Sequence, residues 1–174
     1  GWQINVEGGK KTEASPCAHV QGTQVEVRDL FYATPARLKF LKSERAEFNA
    51  VKDIVSRLAM AFSGISFKLT HNGKTTFSLP ATSDKGERLS AVMGKEFGEN
   101  SMMIDEIHED IRISGLAGLP TYNRGNSLHQ FLFVNGRPVR DKLLLGALRG
   151  AYADVMSHDR YAAAALFIDI PSDQ

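Results

Sequence analysis

Cysteine is nearly absent: one residue in 174, Cys17, cannot form an internal disulfide. No second thiol stands near a histidine at zinc-ligand spacing, so a structural zinc site is excluded along with a disulfide framework. Cys17 also lacks an adjacent base or a repeated thiol motif that would make it reactive, and this usage fits a reducing cytoplasm. No stretch approaches the roughly 20 apolar residues of a membrane span, and no signal-peptide pattern is present, so no membrane partner is expected. Neither sign of charge dominates, because 21 Lys+Arg face 20 Asp+Glu for a net charge of +1. Such a balance neither demands nor excludes a nucleic-acid partner. The five histidines, His19, His71, His108, His129 and His158, include no pair at i,i+4 metal spacing, and no nucleophile motif stands beside one. From Glu99 to Asp110 there are five carboxylates, without the glycine and alternating ligands of a calcium loop, so that stretch reads as a solvated loop.

What the chain does contain is ordinary for a globular protein: 43% hydrophobic and 24% charged residues, enough for a core. A length of 174 residues admits one large domain or two small ones. Charge is uneven along the chain. Residues 1–80 carry eleven Lys+Arg against seven Asp+Glu, and residues 81–174 carry ten against thirteen, so any basic surface must be local. The chain opens at Gly1 without a methionine and stops at Ile170-Pro171-Ser172-Asp173-Gln174, and both ends are expected to be cuts in a longer protein.

Periodicity supplies a coarse plan. Trp2, Ile4 and Val6 alternate with polar residues as in a half-buried strand, and Gly8-Gly9 turns the chain. Val25 and Val27 alternate in the same way after Gly22-Thr23. Thr34-Pro35 reads as an N-cap and first helical residue, opening a short helix through Leu41. Phe48, Val51, Val55, Leu58 and Phe62 recur at helical steps, which predicts that they form the buried face of an amphipathic helix ended by Gly64. A hairpin turning at Asn72-Gly73 comes next. Residues 81–86 have the composition of a linker. Beyond them the pattern predicts a short helix around Leu89–Met93 and strands at 102–107 and 111–119. A loop over 121–127, an apolar strand at 131–134, a helix over 141–156 and a last strand at 164–170 complete the plan. Strands and helices on both sides of the linker predict an α+β protein with domains at 1–80 and 87–174.

Two blocks carry a resemblance. Residues 22–42, GTQVEVRDLFYATPARLKFLK, are similar to the G-T-x-V-x-V-x-D-L-F-x-N-T-P-A-R-x-K-F-L stretch of MutL proteins, the mismatch-repair members of the GHKL ATPases. About a hundred residues later, Phe133–Lys142, FVNGRPVRDK, resembles that family's V-N-G-R-x-V-R-D block. Ala33 stands where the family usually has Asn. The resemblance, to bacterial members, covers essentially the whole chain. It implies the distal part of a GHKL-type α/β sandwich, followed by a ribosomal S5 domain 2-like domain truncated at its end. It also implies an intact protein that uses ATP and Mg, dimerises on binding nucleotide, and couples MutS to a downstream nuclease and helicase on duplex DNA. Its expected location is the bacterial cytoplasm, associated with the nucleoid. The family's catalytic Asn, Glu and Asp and its glycine-rich lid precede the first block and do not occur in this chain, so ATP hydrolysis by the chain alone is not expected.

The site residues implied by the resemblance are few. Gly22 and Thr23 match a strand position beside the adenine pocket, though as a bare pair they are also an ordinary strand start. Lys39, Lys42, Arg57 and Lys142 match positions lining a basic DNA groove. Lys42 and Lys142 replace what is often Arg, keeping a point charge and losing bidentate geometry. By composition alone the same residues are solvated surface charge, diluted by Glu44, Glu47 and Asp53. No aromatic residues interleave with them, so phosphate contact without base reading is the form expected. Two other readings stay open: a free-standing S5-like RNA-binding module and a self-sufficient ATPase. Missing stacking aromatics weigh against the first, and missing catalytic motifs against the second.

Overall fold

The structure is a computed structural model that describes residues 1–171. Residues 172–174, part of the expected cut end, lie outside the described residues. Two compact units form, Gly1–Glu47 and a larger one beginning at Phe48.

In the first unit the strands are short. β1 (Trp2–Gln3) pairs antiparallel with β4 (Ser15–Pro16), and β2 (Val6–Glu7) with β3 (Lys10–Lys11) across the Gly8-Gly9 turn. The strand expected around Val25 and Val27 is not formed, and both side chains are exposed. Alternation alone cannot make a strand. It needs a neighbouring ladder and a face to bury, and no described residue supplies either there. The short helix α1 (Pro35–Leu38) has Pro35 in its first turn as expected, but Thr34 makes no side-chain capping bond. Bonds from Phe40 N to Arg37 O and from Leu41 N to Leu38 O then tighten the chain into turns rather than extending the helix to Leu41.

Helix α2 (Glu44–Ala61) runs from the first unit into the second. Its orientation reverses the expectation from periodicity. Val51, Leu58 and Phe62 are exposed, Phe62 to 48%, while Phe48 and Val55 are half-buried. The buried residues are Arg57, Ala59 and Met60. The helix has two apolar sides, and the narrower one wins because Met60 fits the core with Leu89, Phe97, Leu116, Phe131, Phe133 and Phe167. A hairpin comes next, β5 (Phe67–His71) with β6 (Lys74–Leu79). Asn72 and Gly73 both have positive φ, the requirement of its two-residue turn.

Residues 80–84 lead into α3 (Lys85–Met93), where the Asp84 carboxylate accepts from Glu87 N at 3.1 Å as N-cap. A short helix, α4 (Lys95–Glu99), precedes the long hairpin β7 (Ser101–His108) and β8 (Ile111–Gly118). β9 (Asn123–Arg124) lies in the next loop, and β10 (Gln130–Val134) turns into β11 (Arg137–Val139). Helix α5 (Lys142–Ala151) crosses over to β12 (Tyr161–Ala162), which pairs with β9, and to β13 (Ala164–Asp169). The main sheet has the order β11-β10-β13-β8-β7, with β10 and β13 parallel and the other pairs antiparallel. Parallel neighbours require a crossover, and α5 provides it. Stacked Phe133 and Phe167, with centroids 4.5 Å apart, fill the centre of this sheet. At Gly115 a Cβ would lie 2.2 Å from Ala165 O, so only glycine allows β8 and β13 to close there. α5 ends five residues before the expected 156, leaving Val155 off its face and exposed.

One side chain ties α3 to the second half of α2 and to the hairpin. Arg88 on α3 is 1% exposed. Its guanidinium donates to Ala59 O, Ser63 O, Ile65 O and Pro80 O. These are carbonyls of the C-terminal end of α2, the turn after it and the end of the hairpin. Helix C-termini leave carbonyls unpaired and carry negative partial charge, so a buried cation is stabilised there without a carboxylate partner. Burial nonetheless lowers the Arg88 pKa from its ordinary value. Arg88→Ala is expected to cost about 3–5 kcal/mol by leaving buried carbonyls without donors. Arg88→Lys should restore less than half, since an ammonium lacks the planar fork that reaches several acceptors. Urea unfolding measures both, and an unchanged midpoint for Arg88→Ala would contradict the assignment.

Candidate nucleic-acid interface

Both sequence blocks place cations at chain reversals. The second block forms the β10–β11 turn, with Asn135 and Gly136 at positive φ. The Asn135 amide oxygen accepts from Ile170 N at 2.9 Å, which fixes the turn against the end of β13. The chain then passes through Arg140 to Asp141, whose carboxylate accepts from Leu143 N and Leu144 N as the N-cap of α5. Lys142, the first residue of that helix, is exposed. A cation there opposes the helix dipole and gains nothing from it.

Arg57 is built differently. It is only 8% exposed, donates from Nε to Asp53 Oδ2 at 2.9 Å, and lies over the Phe131 ring at 4.7 Å. Its Nη1 is buried and has no hydrogen-bond partner among the described residues. Asp53 Oδ2 accepts a second guanidinium, Arg140 Nη2, at 2.8 Å. Asp53 and Arg140 are 87 residues apart, and no periodicity reveals such a pair. An open cavity of about 730 Å³ is lined by Asn49, Asp53, Arg57, Leu128, Pro138 and Arg140 among others.

The remaining residues implied by the family resemblance lie in the first unit. Lys39 and Lys42 are exposed, and Lys42 N donates to Glu47 Oε1 at 2.8 Å. Gly22, at φ 132°, and Thr23 are exposed and stand outside any strand. The second unit thus brings Arg57 together with Asp53 and Arg140, and places Lys142 two residues beyond Arg140. Arg88 and the Asp53–Arg140 pair escaped sequence reasoning because both depend on long-range contacts. Among the described residues no group of three or more His, Cys, Asp or Glu is placed to hold a metal ion, and no helix is long and apolar enough to cross a membrane.

Residues 89–174 match the family profile described as the C-terminal domain of DNA mismatch repair protein. The chain is 53% identical over 173 residues to the DNA mismatch repair protein MutL of Bartonella tribocorum, covering 97% of this chain and 28% of the relative. It is 54% identical over 177 residues to that of Phenylobacterium zucineum, with 98% and 28% covered. Among solved structures, the Aquifex aeolicus MutL ATPase domain complexed with ADP superposes with a TM-score of 0.74 at 27% identity, over 97% of this chain and 61% of that one. The N-terminal domain of a DNA repair protein shares the fold, with a TM-score of 0.79 at 22% identity, over 98% and 57%. The fold is therefore the α+β architecture of MutL ATPase-domain structures, distal GHKL-type sandwich and S5 domain 2-like domain together. The chain belongs to the MutL family of DNA mismatch repair proteins. It spans 28% of the length of the curated relatives it matches.

His129 gives the interface region a pH signature. Its Nδ1 is buried with no hydrogen-bond partner among the described residues, and burial, followed by nearby Arg124, lowers its pKa from the ordinary 6.5. The unfolded chain therefore binds a proton that the folded one resists, so stability from this group is present above about pH 6.5 and is lost as pH falls below it. His129→Gln should flatten the decline of the urea midpoint between about pH 6.5 and 5. A decline as steep as the parent's would show that His129 does not cause it.

Proposed function

We propose that this chain is the part of a MutL mismatch-repair protein that joins the ATPase domain to the domain after it, and that it holds duplex DNA by phosphate contacts. The proposed plan keeps domains at 1–80 and 87–174 about the 81–86 segment. In the intact protein, ATP with Mg drives dimerisation into a clamp that couples MutS to a nuclease and helicase, in the bacterial cytoplasm at the nucleoid. Gly22 and Thr23 belong to the edge of the nucleotide site, where the Thr hydroxyl can join a hydrogen-bond network. ADP bound to the Aquifex aeolicus ATPase domain supports nucleotide binding by the parent.

The observation that carries the DNA reading is the family membership together with the exposed cations Lys39, in the turn after α1, Lys42, on the connection to α2, and Lys142, at the start of α5. Exposed ammonium groups suit contact with a phosphate backbone, which needs charge but no base geometry. Arg57 is expected to act from within, adding positive potential, because its guanidinium is already buried against Asp53 and Phe131.

In the intact protein, Lys42→Glu and Lys142→Glu should each weaken binding to duplexes of unrelated sequence. Neutral Lys42→Gln and Lys142→Gln should each lower the log–log salt slope by about 0.9. Arg57→Gln should instead lower thermal stability while changing the slope less. Fluorescence anisotropy over a salt titration, with Lys10→Glu as surface control, measures these effects. Lys42 and Lys142 variants that match the control would remove the DNA reading.

A further inference from the structure

Arg140 stands on the connection between β11 and α5, one residue before the Asp141 cap. Its side chain is 70% exposed and donates from Nη2 to Asp53 Oδ2. The same carboxylate oxygen also takes Arg57 Nε. Two guanidinium groups thus share one carboxylate, which leaves the trio with a net positive charge. The two arginines are held unequally. Arg57 is enclosed by the protein and backed by Phe131, whereas Arg140 is solvated on the rim of the 730 Å³ cavity. Lys52, one residue before Asp53, adds a third cation on an adjoining wall with Asn49.

We propose that Arg140 is a phosphate-contacting residue of the DNA surface, and that Asp53 is its resting counter-ion, exchanged for a phosphodiester oxygen when the duplex binds. This rests on the DNA reading above. An ion pair whose cation is solvated is weakly held and readily exchanged. Phosphate oxygens accept the planar fork of Arg in bidentate geometry, while Asp53 offers Arg140 a single shared oxygen. Releasing Arg140 does not leave Asp53 uncompensated, because Arg57 stays bonded to it. Asp53 therefore competes with phosphate for Arg140, so part of the affinity gained from the contact is spent in breaking the resting pair.

The test uses the intact protein and a duplex of arbitrary sequence, with anisotropy read from about 50 to 200 mM salt. Arg140→Gln should lower the salt slope by about 0.9, so that its affinity deficit against the parent narrows about 3.5-fold across that range. Asp53→Asn should tighten binding severalfold, and the gain should vanish in the Asp53→Asn/Arg140→Gln double variant. If melting shows that Asp53→Asn is unfolded, the slope of Arg140→Gln decides alone, since an exposed side chain can be replaced without loss of fold. A normal slope for Arg140→Gln beside a lowered slope for Lys142→Gln would overturn this proposal and leave the DNA reading standing. Normal slopes for both would overturn both.

Discussion

A single guanidinium, that of Arg88, closes the C-terminal end of α2 to the neighbouring hairpin and to α3. Four backbone carbonyls converge on it, from Ala59, Ser63, Ile65 and Pro80. Helix termini and turns must find donors somewhere, and a buried set of acceptors without them costs more than the bonds themselves contribute. Meeting that need with one side chain from a different element fixes several positions together. It sets where α2 ends, how the β5–β6 hairpin leaves, and where α3 begins. Met60 and Leu89 then meet within one core, alongside Phe97, Phe131 and the stacked Phe133–Phe167 pair.

The charges that remain near the proposed interface result from this placement. With Ala59 and Met60 turned inward, Arg57 is turned inward too, over Phe131, and it brings Asp53 along the same side of the helix. Burying the arginine without a carboxylate would be costly, so Asp53 stabilises the fold through this contact. Its second partner, Arg140, is exposed and needs no such compensation. A structural ion pair and a displaceable one thus share a single oxygen. The opposite side of α2 is left with Val51, Ile54, Leu58 and Phe62 exposed, a stripe whose apolar character is typical of surfaces that become covered.

Sequence reading recovered what is local and repeated. The Asn72-Gly73 hairpin, the helical period of α2 and the β7–β8 strands are all legible from turn chemistry and period. Family membership was legible in the two blocks around Thr34-Pro35 and Asn135-Gly136. What failed was the assignment of faces and neighbours. The period of α2 identified an apolar stripe but not which of two sides the core would take, since that depends on Met60 meeting residues far along the chain. Val25 and Val27 had the alternation of a strand without a ladder to join. Arg57 was readable as a cation but not as a buried one, because its burial is set by Phe131 and Asp53. Arg88, inside a polar-looking stretch, had no pattern to distinguish it.

The claim that Arg88 makes one cooperative unit of these elements is tested most directly by native-state hydrogen exchange on the parent and on Arg88→Met. Amides of the last turn of α2, of β5–β6 and of α3 should open in the parent with a common free energy, and in the variant all three should lose protection by the same amount. Loss confined to the hairpin, with α2 and α3 keeping their parental protection, would contradict the account.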